Sequence, residues 1–517
     1  MTLMSRTGSL EPVRRRRILA GAMAGILALT LAACDKGPDR EAVAAQLKAD
    51  TEAQLQVMEG QAAQKVLSHG AVTVTPAEDD RYAVAIEGLK FAPGADGYLD
   101  IGTISYVARP KDEQSYEVSE LKIAPEIPFK GADGAQKGKL GLATKSFSGL
   151  WSRELATFRK LDAEFADIVA TDDRGSDLRV ARVTTSAELV DKGGGLFDSV
   201  GGATLSGLEV KDTGGTGIFS VGEIAAEGRY DAMKVVEFQA AMKKYQELMV
   251  KQVAAADAAA GTATPPAALT PEEQKALTDS VSAMAAAVKG GVFKVALKQV
   301  GFAEAGATVF ALDQLNLGSA FDGINEQKAS LGFDIAHQGL VINSPEASGP
   351  LAKAVLPKQG NLGLKVTEIP SKELTKVLAD NLPGILSADS AMAEANAMAM
   401  LVALQAVLQT SGAKIEVTPS AVTAEMTEVK ADGAFDVTPQ SVMGAVGTLN
   451  VAWTGLDDVM ALAQANPADP SSADIIGVVS MLLQFAERDS GGDGKPVDKF
   501  KIDVKETGEL LVNDKPM

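Results

Sequence analysis

The sequence predicts an α+β protein: long curved antiparallel β-sheet built from bulged hairpins, with covering helices, arranged in two β-rich blocks. Two observations support this fold class. A hairpin-like segment at residues 204–231, TLSGLEVKDTGGTGIFSVGEIAAEGRYD, recurs in weaker copies along the chain, and segments with helical spacing separate the β-type stretches. With 517 residues, of which 46% are hydrophobic, the chain is long enough to bury a sizeable core.

The repeated segment shows strand alternation that changes phase. Phe219 and Val221 alternate with a polar residue, and after Gly222 the alternation continues one residue later, at Ile224 and Ala226. An extra residue in a strand turns the following side chains to the other face, so the glycine predicts a β-bulge. The same pattern recurs at residues 99–106, 178–185 and 310–317.

The N-terminus has the pattern of a bacterial lipoprotein signal peptide. Four arginines at 14–17 precede an apolar run at 18–33, which is shorter than the roughly 20 residues that span a bilayer. The run ends in a motif that resembles the lipobox, in which the cysteine becomes the acylated first residue: Leu31, Ala32, Ala33 and Cys34. Because Cys34 is the one cysteine of the chain, we predict that residues 1–33 are removed and Cys34 is lipidated. Asp35 is similar to the residue that retains lipoproteins at the inner membrane of enteric bacteria, which favours the inner over the outer membrane.

A helical tether is predicted to follow the anchor, over residues 34–70. An approximate apolar stripe supports a helix at 40–67, and such a helix would lift the body off the membrane. The stripe comprises Val43, Leu47, Leu55, Met58 and Val66.

Two β-rich blocks are predicted after the tether, at residues 71–262 and 263–517. The first block ends in a helix at 231–257, which runs into an Ala/Thr/Pro-rich linker. The second block opens at Thr270, whose threonine, proline and glutamate pattern is typical of a helix start with a capping box.

Two further segments are predicted to be helices that cover the sheet. Residues 148–165, SGLWSRELATFRKLDAEF, place Trp151, Leu155 and Phe158 at helical spacing. Residues 391–409, AMAEANAMAMLVALQAVLQ, are apolar nearly all round. The polar residues within that second segment favour a buried or sheet-capping helix over a membrane span. Shorter helices are predicted at 372–381, 456–465 and 472–488, and a final hairpin at Thr507-Gly508.

The charge of the chain argues against nucleic acid as a partner. The net charge is −19, and residues 1–33 carry five arginines and one glutamate, so the mature chain is near −23. Binding to nucleic acid or to anionic headgroups relies on clustered cations, which this composition does not favour.

Motifs of catalysis are sparse, so we predict a non-enzymatic protein without cofactor or metal. The chain has two histidines, His69 and His337, neither within a metal or triad motif. The glycine clusters lack the lysine and hydroxyl of a phosphate loop. The acids Asp489, Asp493 and Asp498 do not fit the spacing of an EF-hand.

The chain resembles the AsmA-like envelope proteins of proteobacteria, and within them the YdgA-like branch. The resemblance rests on the secretion signal, the bulged hairpins and the C-terminal half, where residues 412–437 precede a strand and short helix at 449–464. It implies a periplasmic body with a long curved sheet and possible lipid handling, and it implies no active-site residues. The lipobox is a departure, because many such proteins keep a transmembrane anchor.

The leading hypothesis is an envelope lipoprotein that faces the periplasm and binds apolar ligands, chiefly phospholipid or other lipids, in a curved β groove. The bulges would supply the curvature. The alternative is a structural or assembly scaffold that binds envelope proteins rather than lipid. The residues predicted to line the groove also fit an ordinary core between sheet and helices. They are Leu99, Ile101, Val180, Phe219, Val221, Phe310 and Leu312.

Overall fold

The computed structural model describes residues 40–60, 67–94, 97–259, 269–304, 306–344, 349–385, 390–491 and 494–517. The predicted signal peptide and Cys34 lie outside these residues. Strand accounts for 55% and helix for 25% of the structure, and the strand pairs are antiparallel. The predicted class, α+β with long curved antiparallel sheet and covering helices, is confirmed.

Two compact units make up the chain. Unit 1 comprises the described residues up to Asp177, with Arg182–Leu189 and Met249–Ala254. Unit 2 comprises Leu178–Ala181, Val190–Leu248 and the described residues from Ala255 onward. The block boundary predicted near residue 262 lies outside the described residues, and the strands before and after it pair with each other inside unit 2. The compact units therefore divide at a different place along the chain.

Unit 1 consists of one helix and a set of short and long strands. They are α1 (Arg40–Gly60), β1 (Leu67–Ser68), β2 (Val72–Pro76), β3 (Tyr82–Gly94), β4 (Gly97–Asp112), β5 (Ser115–Lys122), β6 (Glu126–Gly131), β7 (Gln136–Ser152) and β8 (Thr157–Asp172). β3 pairs with β1, β2 and β4, and β4 pairs with β5 and β6. Both β5 and β6 pair with β7, which forms a hairpin with β8. β9 (Asp177–Gly193) contributes residues to both units.

The described part of the predicted tether, residues 40–60, is a helix that packs on the sheet. Helix α1 ends at Gly60, and Leu47, Thr51 and Leu55, which are spaced four residues apart, are fully buried. The Thr51 hydroxyl lies 3.5 Å from the hydroxyl of Tyr106 on β4. The expectation of a helix that stands off as a spacer is therefore wrong for residues 40–60, because its apolar face is a part of the unit 1 core.

The helix predicted around Trp151 is also wrong. The segment forms the turn of the β7–β8 hairpin, in which Trp151 pairs with Phe158 and Ala156 has a φ of 48°. The rings of Trp151 and Phe158 meet edge to face at 5.0 Å. Spacings of four and three residues place side chains together on a helix, but a tight hairpin brings the same residues together by cross-strand pairing.

Unit 2 contains most of the helices and the longest ladder. Its strands are β10 (Leu196–Lys211), β11 (Gly217–Met233), β12 (Gly290–Glu304), β13 (Ala307–Asp322), β14 (Lys328–Gln338), β15 (Val341–Ile342), β16 (Gln359–Pro370), β17 (Lys414–Thr423), β18 (Glu428–Val437), β19 (Ala445–Thr454), β20 (Glu487–Ser490), β21 (Pro496–Val504), β22 (Leu510–Val512) and β23 (Lys515–Pro516). Its helices are α2 (Val235–Ala259), of which Met249–Ala254 belong to unit 1, α3 (Pro271–Ala286), α4 (Pro350–Val355), α5 (Ser371–Ile385), α6 (Ser390–Ser411), α7 (Leu456–Ala465) and α8 (Ser472–Phe485).

The ladder of unit 2 runs from β10 through β11, β12, β13 and β14 to β16, and on through β17, β18 and β19 to β21. The predicted helix start at Thr270 is present as a capping box: its hydroxyl accepts from the Glu273 amide, and the Glu273 carboxylate accepts from the Thr270 amide. The final hairpin around Gly508 is present as β21 and β22. The helix predicted at 456–465 is present with these bounds, and the helices predicted at 231–257, 372–381, 391–409 and 472–488 are present with shifted ends.

The repeated pattern marks strands, but the irregularity at Gly222 differs from the prediction. Register on both sides of Gly222 is unchanged, so β11 carries no net extra residue there. Instead, the residues opposite it on the neighbouring strands, Gly207 and Gln299, have left-handed φ values of 66° and 53°. The pairing of β11 with both neighbouring strands is interrupted opposite Gly222 and resumes at the next residue. The alternation of side chains changes there, whereas the register of the strands does not.

Candidate functional site: an open apolar sheet face

Residues directly opposite each other in an antiparallel ladder project to the same face, and so do residues two apart on one strand. The register of unit 2 therefore aligns side chains in rows across β12, β13, β14 and β16. One row contains Val295, Leu317, Ile335 and Leu362, and the next contains Phe293, Ser319, Phe333 and Leu364.

These two rows hold a group of large apolar side chains that are open to solvent. We call this group the apolar strip: Phe293, Leu317, Phe333, Ile335, Leu362 and Leu364. Each of them keeps between 38% and 55% of its surface exposed. Two rows and four strands correspond to roughly 7 Å by 14 Å of sheet surface. Contiguous exposed apolar side chains of this kind mark ligand or partner sites more often than chance surface.

The other face of the same strands is charged. Positions between the rows of the strip project to this second face. Glu223 and Lys298, which follow the same alternation further along β11 and β12, project to that face as well, and their side chains form an ion pair of 2.8 Å. Further charged residues of that face on β11, β12, β14 and β16 include Glu227, Arg229, Lys294, Asp334 and Lys365. The sheet is therefore two-faced, and the apolar strip is its uncharged side.

Helices cover the sheet on either side of the strip. Beyond the row of Phe333, the next row contains Leu331 and Val366. These two residues and Leu404 and Leu408 of α6 pack against a buried cluster that includes Leu374 of α5. Toward β19 and β21, α7 and α8 cover a second cluster. That cluster centres on Leu456, Val479, Phe500 and Val512. The strip is the part of this face that the described helices leave open.

His337 lies on the same strand as two residues of the strip. It lies two residues beyond Ile335 on β14, and its row contains Leu315 and Gly360. The imidazole approaches β16 so closely that a Cβ at Gly360 would lie 3.1 Å from its Nε2 atom, which explains the glycine. Its Nδ1 atom is buried without a hydrogen-bond partner. The imidazole therefore lies packed against β16 next to the strip.

The acidic residues singled out near the C-terminus are held in ion pairs. Arg488 donates to Asp498, which is fully buried, at 2.8 Å and to Asp457 at 2.9 Å. Hydrogen bonds to Asp498 and then Asp457 raise the pKa of Arg488. Asp489 accepts from Lys499 at 2.9 Å. Asp493 lies outside the described residues. These ion pairs connect β20 and β21 to α7, and the carboxylates of Asp457, Asp489 and Asp498 are each hydrogen-bonded to a cationic side chain.

A second carboxylate on β21 is stabilised in its charged form. Asp503 accepts from Lys501 at 2.8 Å and from the Thr448 hydroxyl at 2.6 Å. The hydrogen bond from Lys501, followed by that from Thr448, lowers the pKa of Asp503 to about 2. Within the described part of the chain, no group of three or more His, Cys, Asp or Glu side chains could hold a metal ion.

The residues predicted to line a groove fall into two groups. Leu99 and Ile101 on β4, Val180 on β9, Val221 on β11 and Leu312 on β13 are buried. Phe219 and Phe310 are half-buried. β12 brings four of the seven residues together. One row is Phe219, Phe302 and Phe310, and the next is Val221, Val300 and Leu312. Their role as a ligand surface stays a prediction.

The apolar strip was missed by the sequence reasoning. Its residues lie in strands that were recognised, but alternation has the same form whether the apolar face is covered or open. One signal was present in the sequence. In three strands a charged residue lies between two apolar ones, at Lys294, Asp334 and Lys365. That pattern identifies a two-faced sheet. It does not reveal which part of the apolar face lacks a helix above it.

The fold and this surface define the class of protein as α+β, with an antiparallel sheet that is charged on one face. Part of the other face is apolar and exposed to solvent. No protein-family model, curated protein or solved structure matches the chain. The resemblance to AsmA-like proteins therefore stays a prediction. In the described residues, no helix is both long and apolar enough to cross a membrane.

Proposed function

We propose that the chain is an envelope lipoprotein, anchored through Cys34 and facing the periplasm, which binds the alkyl chain of a lipid on the apolar strip. The observation that carries the proposal is the strip itself: six large apolar side chains, all half-exposed, in two adjacent rows of one sheet face. The proposed activity is binding, without a chemical step, in support of envelope maintenance or lipid transport.

The size of the strip favours a lipid chain over a protein partner. A surface of roughly 7 Å by 14 Å accommodates an extended chain. An α-helix with its side chains is about 10–12 Å wide, and a standard protein interface buries about 800 Å2 on each partner. A scaffold that binds envelope proteins would need a larger surface than the strip, so lipid is the favoured occupant.

The strength of the proposed interaction follows from the area that is still exposed. Burying a whole Leu, Ile or Phe side chain contributes about 1.5–3 kcal/mol, so the exposed half of each side chain contributes roughly 1 kcal/mol. Six such side chains give roughly 6 kcal/mol, which corresponds to a Kd in the tens of micromolar. The entropy that the lipid chain loses when it is immobilised weakens this affinity. We therefore expect reversible binding, as transport or exchange requires.

The test compares two neighbouring substitutions on β12 in the full chain. Phe293 belongs to the strip, whereas Val292 is also an exposed apolar residue but projects to the charged face. Titration with a fluorescent long-chain fatty acid measures binding to Phe293→Asp and Val292→Asp. We expect Phe293→Asp to weaken binding by about tenfold or more, because one charge in the contact costs at least 1.4 kcal/mol. Val292→Asp should bind as the unaltered chain does.

Two results would contradict the proposal. The unaltered chain could fail to bind the fatty acid saturably, or both substitutions could weaken binding equally. Circular dichroism spectra serve as the control that each variant is folded. Lipid extraction from the chain purified from the bacterial envelope then identifies the phospholipid or other lipid that it carries, after the covalently attached acyl groups are subtracted.

A further inference from the structure

Helix α6 is apolar on two sides, and the structure covers one of them. Leu404 and Leu408 pack against the cluster around Ile369 and Leu374. Away from this contact, Met398, Leu401 and Val402 are 55–64% exposed. From Ala395 to the end of the helix the sequence contains no charged residue. A helix that is apolar all round belongs in apolar surroundings on every side, and among the described residues nothing covers the open side of α6.

A protruding turn extends this open side. The turn between β18 and β19 exposes Val442 and Met443 to 82% and 61% of their surface. It borders the C-terminal half of α6, since a Cβ at Gly444 would lie 2.7 Å from the side-chain nitrogen of Gln409 and 3.8 Å from that of Gln405. Residues 438–444 are also uncharged. The exposed apolar residues of the helix and of the turn thus lie on either side of the uncharged amides of Gln405 and Gln409, and the β21–β22 turn borders this surface where Gly508 approaches Val442.

We propose that this surface, the apolar tip, inserts into the outer part of a lipid bilayer. The apolar tip comprises Met398, Leu401, Val402, Val442 and Met443. The proposal rests on the envelope location proposed above, because Cys34 lies six residues before Arg40 and its acylation would confine the chain to a membrane surface. Confinement makes a weak second contact effective, because it occurs at high local concentration.

The composition of the tip fits lipid better than protein. Centres of protein interfaces are enriched in Trp, Tyr and Arg, and the tip contains none of these. Its side chains are aliphatic or methionine, and its most exposed residue stands on a convex turn. Helices that lie in the membrane interface bury an apolar face about 5–10 Å deep without spanning the bilayer. The tip is therefore suited to contact a bilayer rather than to cross it.

The position of the tip permits a controlled experiment. The turn of the apolar tip follows β18, and the paired residues next to it at this end of the strands are Asp436, Lys414 and Thr367. The turn between β10 and β11 lies at the opposite end of the strands, beyond the pair Lys211 and Gly217. Thr213 in that turn is exposed and offers a matched control position.

The experiment places an environment-sensitive fluorophore at each end in turn. Because Cys34 is the one natural cysteine and is acylated in the proposed mature form, Val442→Cys or Thr213→Cys supplies the one free thiol. The full lipidated chain is reconstituted in vesicles of phosphatidylethanolamine and phosphatidylglycerol, some carrying a quencher on the acyl chain. We expect a blue shift and several-fold stronger quenching at position 442 than at position 213. Leu401→Asp should abolish both changes at position 442.

The outcomes separate this proposal from the proposed function. Equal quenching at positions 442 and 213 would overturn the tip, and so would a signal that Leu401→Asp leaves unaltered. Shielding of position 442 without vesicles, increasing with protein concentration, would instead identify a second copy of the chain as the cover and would also overturn it. Fatty-acid binding measured on the Leu401→Asp protein reports on the apolar strip alone, so the two proposals can fail independently.

Discussion

The two units use the same kind of sheet in opposite ways. In unit 1 the apolar face is closed: residues such as Ile86, Leu89 and Tyr116 are at most 1% exposed, and α1 contributes its own buried residues to the core. In unit 2 the helices cover the apolar face on either side of the strip, but Phe333 and Leu362 remain more than half exposed. The difference teaches that alternation builds the sheet, whereas the placement of helices decides whether its apolar face becomes core or surface.

The largest effect is expected for a phenylalanine of the closed face. Phe158→Ala in unit 1 should lower the free energy of unfolding by about 3–5 kcal/mol, because the ring is buried and packs edge to face on Trp151. Urea unfolding followed by the fluorescence of Trp151 measures it, in a Trp453→Phe background so that one tryptophan reports.

The same substitution on the open face is the matched control. Phe333→Ala should lower the free energy of unfolding by less than about 1 kcal/mol, because half of the ring is already in water. The fluorescence of Trp453 follows unit 2. If Phe333→Ala is as destabilising as Phe158→Ala, the strip is core, and the contrast between the units is wrong.

A smaller but substantial effect is expected for the helix that closes unit 1. Leu47→Ala should cost about 2–4 kcal/mol, because the side chain is fully buried and its removal leaves a cavity. Lys48→Ala, an exposed position on the same helix, is the control. Unfolding is again followed by Trp151. Equal, negligible effects of both substitutions would show that α1 is a free tether after all.

The smallest effect concerns the charged face of unit 2 and depends on pH. The pKa of Asp503 in the folded chain is lowered to about 2, below the value of about 3.9 for an unfolded aspartate. The charged carboxylate therefore contributes stability that is fully present above about pH 4 and is lost as the pH falls toward 2.

Asp503→Asn should remove that contribution, which is on the order of 1 kcal/mol because its lysine partners are half-exposed. The difference in unfolding free energy between the unaltered chain and the variant should shrink as the pH falls from about 5 to about 2. A difference that stays constant over this range would mean that Asp503 acts through packing rather than through charge. Lys505→Gln, which removes the weaker of the two lysine contacts, provides a graded control.

Local sequence patterns predicted much of the secondary structure. The capping box at Thr270, the turn glycine at 508 and the helices near 456 and 472 rest on neighbouring residues, and each is present. The failures have a common cause. The spacing of Trp151, Leu155 and Phe158 satisfies both a helix and a hairpin, and the phase change at Gly222 could come from an insertion or from paired irregularities. Neighbouring strands decide between these alternatives.

The sequence by itself determined the alternating strands, the turns, the two-faced character of the sheet and the acidic charge. It also carries the predicted signal peptide and lipidation at Cys34, which depend on a linear motif. Only the tertiary structure decided that α1 is core rather than tether and that the strands on both sides of residue 262 pair. It also decided that none of the described helices lies above one stretch of apolar sheet. The physical reason is that burial depends on which distant segment packs against a face, and the residues of that face are equally apolar whether or not a partner covers them.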